Sequence, residues 1–178
     1  TAAPTPVNQA QGLEAKLGPA RCSVTNRDAV EYVVNGHVEW QNYFGSGIED
    51  YSSLATDGRL TLSPTTFICE SAFVDKKYGQ VIAVGRDDKF FPAKISLIDV
   101  KTGKEAGSYW HPGHIKGVVP VYDVSMPIGN RDFLVVAALS NNGELIQEAQ
   151  KRANKPVAYV PAIAVLMREG NRLLPVAY

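Results

Sequence analysis

The chain has no run of about 18 apolar residues, so no segment is expected to cross a bilayer as a helix. It also has no net charge, because 18 basic residues balance 18 acidic ones. Without a basic stripe, the sequence offers no electrostatic footprint for nucleic acid or for an anionic membrane surface. The composition therefore predicts neither a transmembrane segment nor nucleic-acid binding.

Motifs for catalysis and for cofactors are also missing. Ser46 lies in Phe44-Gly45-Ser46-Gly47, which does not match the G-x-S-x-G elbow of esterases. The glycines of the middle segment are not followed by the Lys-Ser/Thr of a phosphate-binding loop. We therefore expect a protein that is not an enzyme and that carries no cofactor.

Histidine is scarce, with three in the chain, and two of these stand close together in His111-Pro112-Gly113-His114. Two imidazoles three residues apart could share a metal, but no cysteine or carboxylate stands nearby at ligand spacing. The Pro-Gly pair favours a surface turn instead. We expect no metal site here and treat His111 and His114 as candidate partner-binding residues.

Cysteine is nearly absent, and the two that occur are Cys22 and Cys69. An even pair favours a disulfide over two buried free thiols. The chain has no N-glycosylation sequon, which fits a bacterial periplasm. Residues 1–11 are rich in Ala, Pro, Thr and Gln, and we expect a flexible segment of the kind that follows a cleaved signal peptide, or an arbitrarily chosen start.

What is present is the composition of one globular domain. The chain has 178 residues, 45% of them hydrophobic and 20% charged. We expect residues 12–178 to form a single β-rich domain. Asn35-Gly36, flanked by Tyr32-Val33-Val34 and residues 37–40, predicts a β-hairpin.

The middle segment alternates buried strands with turns. Residues 79–85 and 94–100 are rich in Val and Ile, and Asp99-Val100-Lys101-Thr102-Gly103 has turn chemistry before the next strand. This segment, residues 79–110, resembles one blade of the β-propeller repeats that carry a D-x-x-T-G turn before their last strand. The sequence shows no second clean copy, so we predict a blade-like antiparallel meander and not a closed propeller.

The C-terminal third differs from the rest because it contains a predicted helix, Glu144 to Asn154, capped by Asn141 or Asn142. Its apolar residues share one face that should pack on the sheet: Leu145, Ile146, Ala149 and Ala153. Pro161 interrupts a long apolar strand and predicts an edge or a bulge. The predicted fold class is α+β and mostly β, an antiparallel meander or two packed sheets with this one helix.

Aromatic residues crowd one segment that also carries acids and small polar residues. Aromatic side chains dominate interface hot spots, and loops carry binding residues more often than core strands do. The alternative is that the aromatics fill the core. The predicted partner-binding residues of this segment are Trp40, Tyr43, Phe44, Ser46, Glu49 and Asp50.

These expectations lead to a functional hypothesis: a non-enzymatic binding protein of the periplasm, or a secreted one, that acts on a protein partner. It resembles the periplasmic immunity proteins of bacteria, inhibitors that neutralise secreted cell-wall toxins, in size, compartment and class. Two alternatives stay open. One is a tethered domain of an envelope assembly or secretion apparatus, and the other is a small hydrolase that uses a histidine of the 111–114 turn.

Overall fold

The computed structural model describes residues 18–43, 67–87 and 92–177. Antiparallel strands dominate these residues, as the mostly-β α+β prediction requires, and they form three sheets. Sheet I has the order β1-β2-β3, sheet II the order β4-β5-β6-β7, and sheet III the order β11-β10-β9-β8. The elements are β1 (Ala20–Cys22), β2 (Ala29–Val34), β3 (His37–Tyr43), β4 (Phe67–Asp75), β5 (Gln80–Asp87), β6 (Ala93–Asp99), β7 (Glu105–His111), β8 (Gly113–Val124), β9 (Arg131–Ser140), α1 (Gly143–Ala153), β10 (Val160–Glu169) and β11 (Arg172–Ala177).

Sheet II is the central layer because both of its faces are apolar. Successive side chains of a strand point to opposite faces. In β5, Ile82 and Val84 pack with sheet III, and Val81 and Ala83 pack with sheet I. A strand without polar alternation is typical of a sheet covered on both sides. The predicted antiparallel meander or pair of packed sheets is observed, in the described residues, as three packed antiparallel sheets.

Sheet I is fastened to sheet II by one covalent bond and several polar ones. The predicted disulfide between Cys22 and Cys69 is confirmed, and it joins β1 to β4. The Trp40 indole N–H donates to the carbonyl of Val100 at 2.9 Å. The predicted hairpin is also confirmed: Asn35 and Gly36 have φ values of 51° and 77°, the left-handed conformations of a tight two-residue turn.

Two four-stranded meanders, sheets II and III, follow each other along the chain. In sheet II the carboxylate of Asp99 accepts hydrogen bonds from the backbone N–H groups of Lys101 and Thr102, at 2.8 and 3.0 Å. Gly103 supplies the positive φ of 69° that this turn needs before β7. The turn chemistry read from the sequence is therefore present, in a four-stranded antiparallel meander.

The prediction of a surface turn at residues 111–114 is wrong. The chain passes from β7 to β8 through Pro112 alone, and the His111 side chain is buried. Gly113 has a φ of 142°, and a Cβ there would lie 1.9 Å from the Leu139 carbonyl oxygen. Proline and glycine serve here as a corner between two packed sheets, where the backbone must pass close to β9.

The predicted helix is confirmed as α1, and the Asn142 side chain accepts hydrogen bonds from the N–H groups of Glu144 and Leu145. Its packing differs from the prediction, because Leu145 is 37% exposed and no residue of the helix is fully buried. Four apolar side chains among eleven leave it little to bury, so it lies loosely beside β10. Across the described ranges, no helix has the length and apolarity needed to cross a bilayer.

Candidate functional site

The side of sheet III that points away from sheet II is apolar across several strands. Val119, Val135 and Val165 stand in one row, because each is the register partner of the next. Ala137 and Ile163 form the neighbouring row. We call this surface the outer face, and its residues are Val119, Val121, Phe133, Val135, Ala137, Ile163, Val165 and Met167.

The outer face is open to solvent. Val119 is 59% exposed and Ile163 is 58% exposed. None of its eight residues is charged. Three charged residues lie at one end of the sheet: Glu169 and Arg172, which are register partners beside the β10–β11 turn, and Arg131, which begins β9. An apolar centre with a polar rim is the usual anatomy of a protein interface.

A shallow depression lies in the outer face. Its volume is about 240 Å³, and it is lined by Val121, Val124, Phe133, Val135 and Val165. Phe133 is 7% exposed, so its ring lies at the bottom of the depression. The depression is of a size to accept one apolar side chain of a partner, as hot-spot pockets do.

The sequence of β9 produces this face. Leu134, Val136 and Ala138 turn inward to the core shared with sheet II, while Phe133 and Val135 turn outward. Such a strand has no polar alternation, the pattern typical of a strand that is covered on both sides. The apolar run of β9 predicts a strand, whereas the packing of the sheets determines which of its two sides is covered.

The edges of sheet III are blocked, unlike its outer face. β8 and β11 are its edge strands, and they contain Pro120 and Pro175. Proline has no N–H to donate to an added strand, so it opposes edge-to-edge pairing. At Pro161, β10 pairs with β9 but not with β11, because the register between β10 and β11 begins at Val165. Pro161 therefore lies at a local edge of the sheet, as predicted.

His114 stands at the margin of the outer face, opposite Leu139 in the register. Its ring centroid lies 5.3 Å from that of Tyr159. Burial lowers the pKa of His114, and the positive charges of Lys116 and Arg86 lower it further. The lowered pKa favours the neutral imidazole, which adds aromatic surface to this end of the face.

A network of polar side chains is buried where sheets II and III meet. The Arg168 guanidinium donates to the Asp75 carboxylate and to the Gln80 side-chain oxygen, and it stacks on the Tyr78 ring at 3.6 Å. The Tyr122 hydroxyl donates to Asp75 at 2.7 Å. Because these residues come from β4, β5, β8 and β10, the network joins the two sheets.

Asp132 extends this network towards the surface. Burial alone would raise the pKa of its carboxyl, but hydrogen bonds from Tyr78, the Asp123 backbone N–H and Lys77 outweigh burial and lower the pKa to about 2. Lys77 also donates to the Asp123 carboxylate at 3.0 Å. This network stabilises the contact between sheets II and III, since each of its charged groups has a partner within the protein.

The residues predicted to bind a partner are dispersed. The half-buried Trp40 ring stacks on Tyr32 at 5.7 Å and faces the core between sheets I and II. Tyr43 is 47% exposed at the end of β3. His111 is buried and contacts the Leu139 carbonyl through Nε2 at 3.2 Å, far from an open surface. Phe44, Ser46, Glu49 and Asp50 lie outside the described residues.

Within the described ranges, no group of three His, Cys, Asp or Glu side chains is placed to hold a metal ion. Within the same ranges neither His111 nor His114 forms a hydrogen bond with a carboxylate. Comparison of the chain with known proteins gives no matching family model, no matching curated protein and no matching solved structure.

Proposed function

We propose that this chain is a non-catalytic binding domain that recognises another protein through the outer face of sheet III. The observation that carries the proposal is the apolar outer face, in which Val119 and Ile163 of two neighbouring rows are exposed beside a depression lined in part by Phe133. Contiguous apolar patches of this kind on soluble proteins mark interaction sites.

The chemistry of the face defines the partner. An uncharged centre favours an uncharged partner surface, because a charge placed against it would lose its hydration without gaining a counter-ion. A sheet face is broad and shallow, which suits another flat surface better than a narrow helix. Within this chain, sheets I and III cover the two apolar faces of sheet II. We therefore propose a partner that presents an apolar β-sheet face with one projecting side chain for the depression.

The disulfide is compatible with the compartment that this proposal requires. A disulfide and the lack of a membrane-crossing helix in the described part are compatible with a secreted or periplasmic protein. We place the domain in the periplasm, where its partner would be a secreted or envelope protein. An inhibitor of a secreted toxin is one such role, and a component of an envelope assembly is another.

The test uses the intact chain as bait on envelope and secreted fractions of its source, together with three charge variants. Val119→Lys and Ile163→Lys place a cation on the outer face, where both native side chains are exposed and folding should persist. Ile128→Lys is the matched control, since Ile128 is 72% exposed in the turn between β8 and β9. Retained proteins are identified by mass spectrometry and then purified for affinity measurement.

We expect one partner that binds the native chain and the Ile128→Lys control equally, and both face variants at least tenfold more weakly, about 1.4 kcal/mol or more. Equal binding by all four chains would show that the face is not the interface. If nothing is retained, the proposed function fails. Sedimentation velocity on the purified chain tests whether a second copy of the chain occupies the outer face. A dimer that Ile163→Lys dissociates would assign the face to self-association instead.

A further inference from the structure

The chain contains two Asn-Gly pairs, Asn35-Gly36 and Asn142-Gly143, and all of these residues are exposed. The asparagine of such a pair can react with its own backbone, because glycine has no side chain to keep its nitrogen away from the asparagine amide. The two pairs therefore share the same local chemistry. The structure places them in different settings, since the first forms the turn between β2 and β3 and the second begins α1.

Hydrogen bonds fix both the main chain and the side chain of Asn142. Its side-chain oxygen accepts from the backbone N–H groups of Glu144 and Leu145, at 3.0 and 3.3 Å. Its carbonyl accepts from the Ile146 N–H at 3.0 Å, and its own N–H donates to the Ser140 hydroxyl at 3.1 Å. The nitrogen of the following glycine can reach the Asn142 amide only after rotations about the bonds of Asn142, which would break some of these hydrogen bonds.

Asn35 lacks these restraints. Within the described residues, neither its side-chain amide nor the N–H of Gly36 forms a hydrogen bond with another group of the protein. Both residues have positive φ values, 51° and 77°, and a Cβ added to Gly36 would meet nothing within 4 Å. The Gly36 nitrogen is therefore open to solvent, and the Asn35 side chain can turn towards it without losing a hydrogen bond.

We propose that Asn35 is a site of deamidation in the folded protein, whereas the hydrogen bonds of Asn142 protect that residue. The Gly36 nitrogen loses its proton to hydroxide and bonds to the side-chain carbonyl carbon of Asn35, and the bond from this carbon to the amide nitrogen breaks, so that ammonia leaves. Water then opens the succinimide ring at either carbonyl and leaves aspartate or isoaspartate at position 35. The net reaction is hydrolysis of the side-chain amide, with no oxidation or reduction.

Both products change the hairpin. Deamidation adds a carboxylate at the cleft between sheets I and II, which Asn35 lines together with Glu39. Isoaspartate also lengthens the main chain by a methylene group, so the turn no longer matches the spacing of its register pair, Val34 and His37. The modification therefore loosens the end of the hairpin from which β3 runs to Trp40. The reaction needs no protein partner and is independent of the outer face of sheet III.

The test is a time course of the intact chain in mildly alkaline buffer, which favours loss of the proton from the glycine nitrogen. Samples are digested at acidic pH, where the reaction stops, and the asparagine, aspartate and isoaspartate forms of each Asn-Gly peptide are separated and quantified by mass spectrometry. Asn142 is the matched internal control, because it also precedes glycine. The same chain unfolded in guanidinium chloride gives the rates at both sites without the fold.

In the folded chain we expect Asn35 to deamidate at least about tenfold faster than Asn142, since hydrogen bonds of Asn142 must break before its amide is attacked. In the unfolded chain the two rates should become similar. Similar rates in the folded chain, or a faster reaction at Asn142, would overturn the proposal. A folded chain in which Asn35 stays intact would also overturn it, because the hairpin would then protect this residue. A rate ratio that persists in the unfolded chain would assign the difference to the flanking sequence and not to the fold.

Discussion

Arg168 and Asp75 form an ion pair in which both side chains are completely withdrawn from solvent, with Nη1 and Oδ2 2.5 Å apart. Arg168 belongs to β10 of sheet III, and Asp75 ends β4 of sheet II. Two charges are costly to bury unless both are fully hydrogen-bonded. Gln80 and Tyr122 supply additional hydrogen bonds to this pair, whereas the buried Arg168 Nε has no hydrogen-bond partner in the described part of the chain.

The first prediction concerns the loss of one member of this pair. Arg168→Met should lower the free energy of unfolding by about 3–5 kcal/mol, because Asp75 is left as an uncompensated buried charge. Urea denaturation followed by fluorescence measures the loss. Arg172→Met, on the exposed turn side of the same hairpin, should change stability by less than about 0.5 kcal/mol.

A double-mutant cycle extends this test. Asp75→Asn removes the buried carboxylate charge that Arg168→Met leaves behind, so the double variant should be less destabilised than the sum of the two single variants. The expected coupling is about 1–3 kcal/mol. Additive losses would show that the two side chains do not stabilise each other.

The features that could be predicted from the sequence are those that depend on a few neighbouring residues. The Asn35-Gly36 hairpin, the Asp99 turn and the Asn142 cap each need only a few neighbouring residues, and all three are present. The disulfide followed from an even cysteine count. These features say which elements form, but not which surfaces meet.

Contacts between residues that are distant along the chain could not be predicted from the sequence. Asp75 and Arg168 are 93 residues apart, and neither stands in a pattern that indicates a partner. Pro112-Gly113 predicts a surface turn because a turn and a corner between sheets use the same residues. The outer face could not be predicted, because the apolar sequence of β9 is the same whether one or both of its sides are covered, and only the assembled sheets show which side stays open.

The second prediction compares two glycines. A Cβ on Gly107 of β7 would lie 1.8 Å from the Asn171 carbonyl oxygen, where β7 meets the β10–β11 turn. A Cβ on Gly117 of β8 would meet nothing within 4 Å. Gly107→Ala should therefore cost about 1–3 kcal/mol, since the two sheets must separate locally. Gly117→Ala should be neutral or slightly stabilising.

Thermal unfolding by calorimetry measures both glycine variants under the same conditions. If the two melting temperatures fall by the same amount, the close approach of β7 to the β10–β11 turn is not what makes Gly107 necessary. A crystal structure of the Gly107 variant would then show whether the turn had moved without cost.

The third prediction concerns the disulfide. Replacing Cys22 and Cys69 together by serine should lower the free energy of unfolding by roughly 4 kcal/mol, because the bond closes a segment with a sequence separation of 47. Native chain treated with a thiol reductant should lose a similar amount in urea denaturation. A loss below about 1 kcal/mol in both experiments would mean that β1 is held to β4 by its noncovalent contacts alone.

The fourth prediction is a pH dependence that arises at His111. Burial lowers the pKa of its imidazole, with a further contribution from His114, although the hydrogen bond to the Leu139 carbonyl opposes the shift. In the unfolded chain the same ring takes up a proton near its ordinary pKa of 6.5. Between that value and the lower pKa of the folded state, the unfolded chain binds more protons, so acid favours unfolding.

The free energy of unfolding should therefore fall as the pH is lowered from about 6.5, with a slope of up to about 1.4 kcal/mol per pH unit for this one group. His111→Gln keeps a side-chain donor for the Leu139 carbonyl but does not titrate, so it should flatten the slope. His37→Gln removes an exposed imidazole on β3 and is the control. Urea denaturation at pH 5 and pH 7 measures the slope in each chain. If His111→Gln and the native chain lose stability in parallel, the proton is taken up elsewhere, and His114, whose pKa is lowered by the same cause, is the next residue to replace.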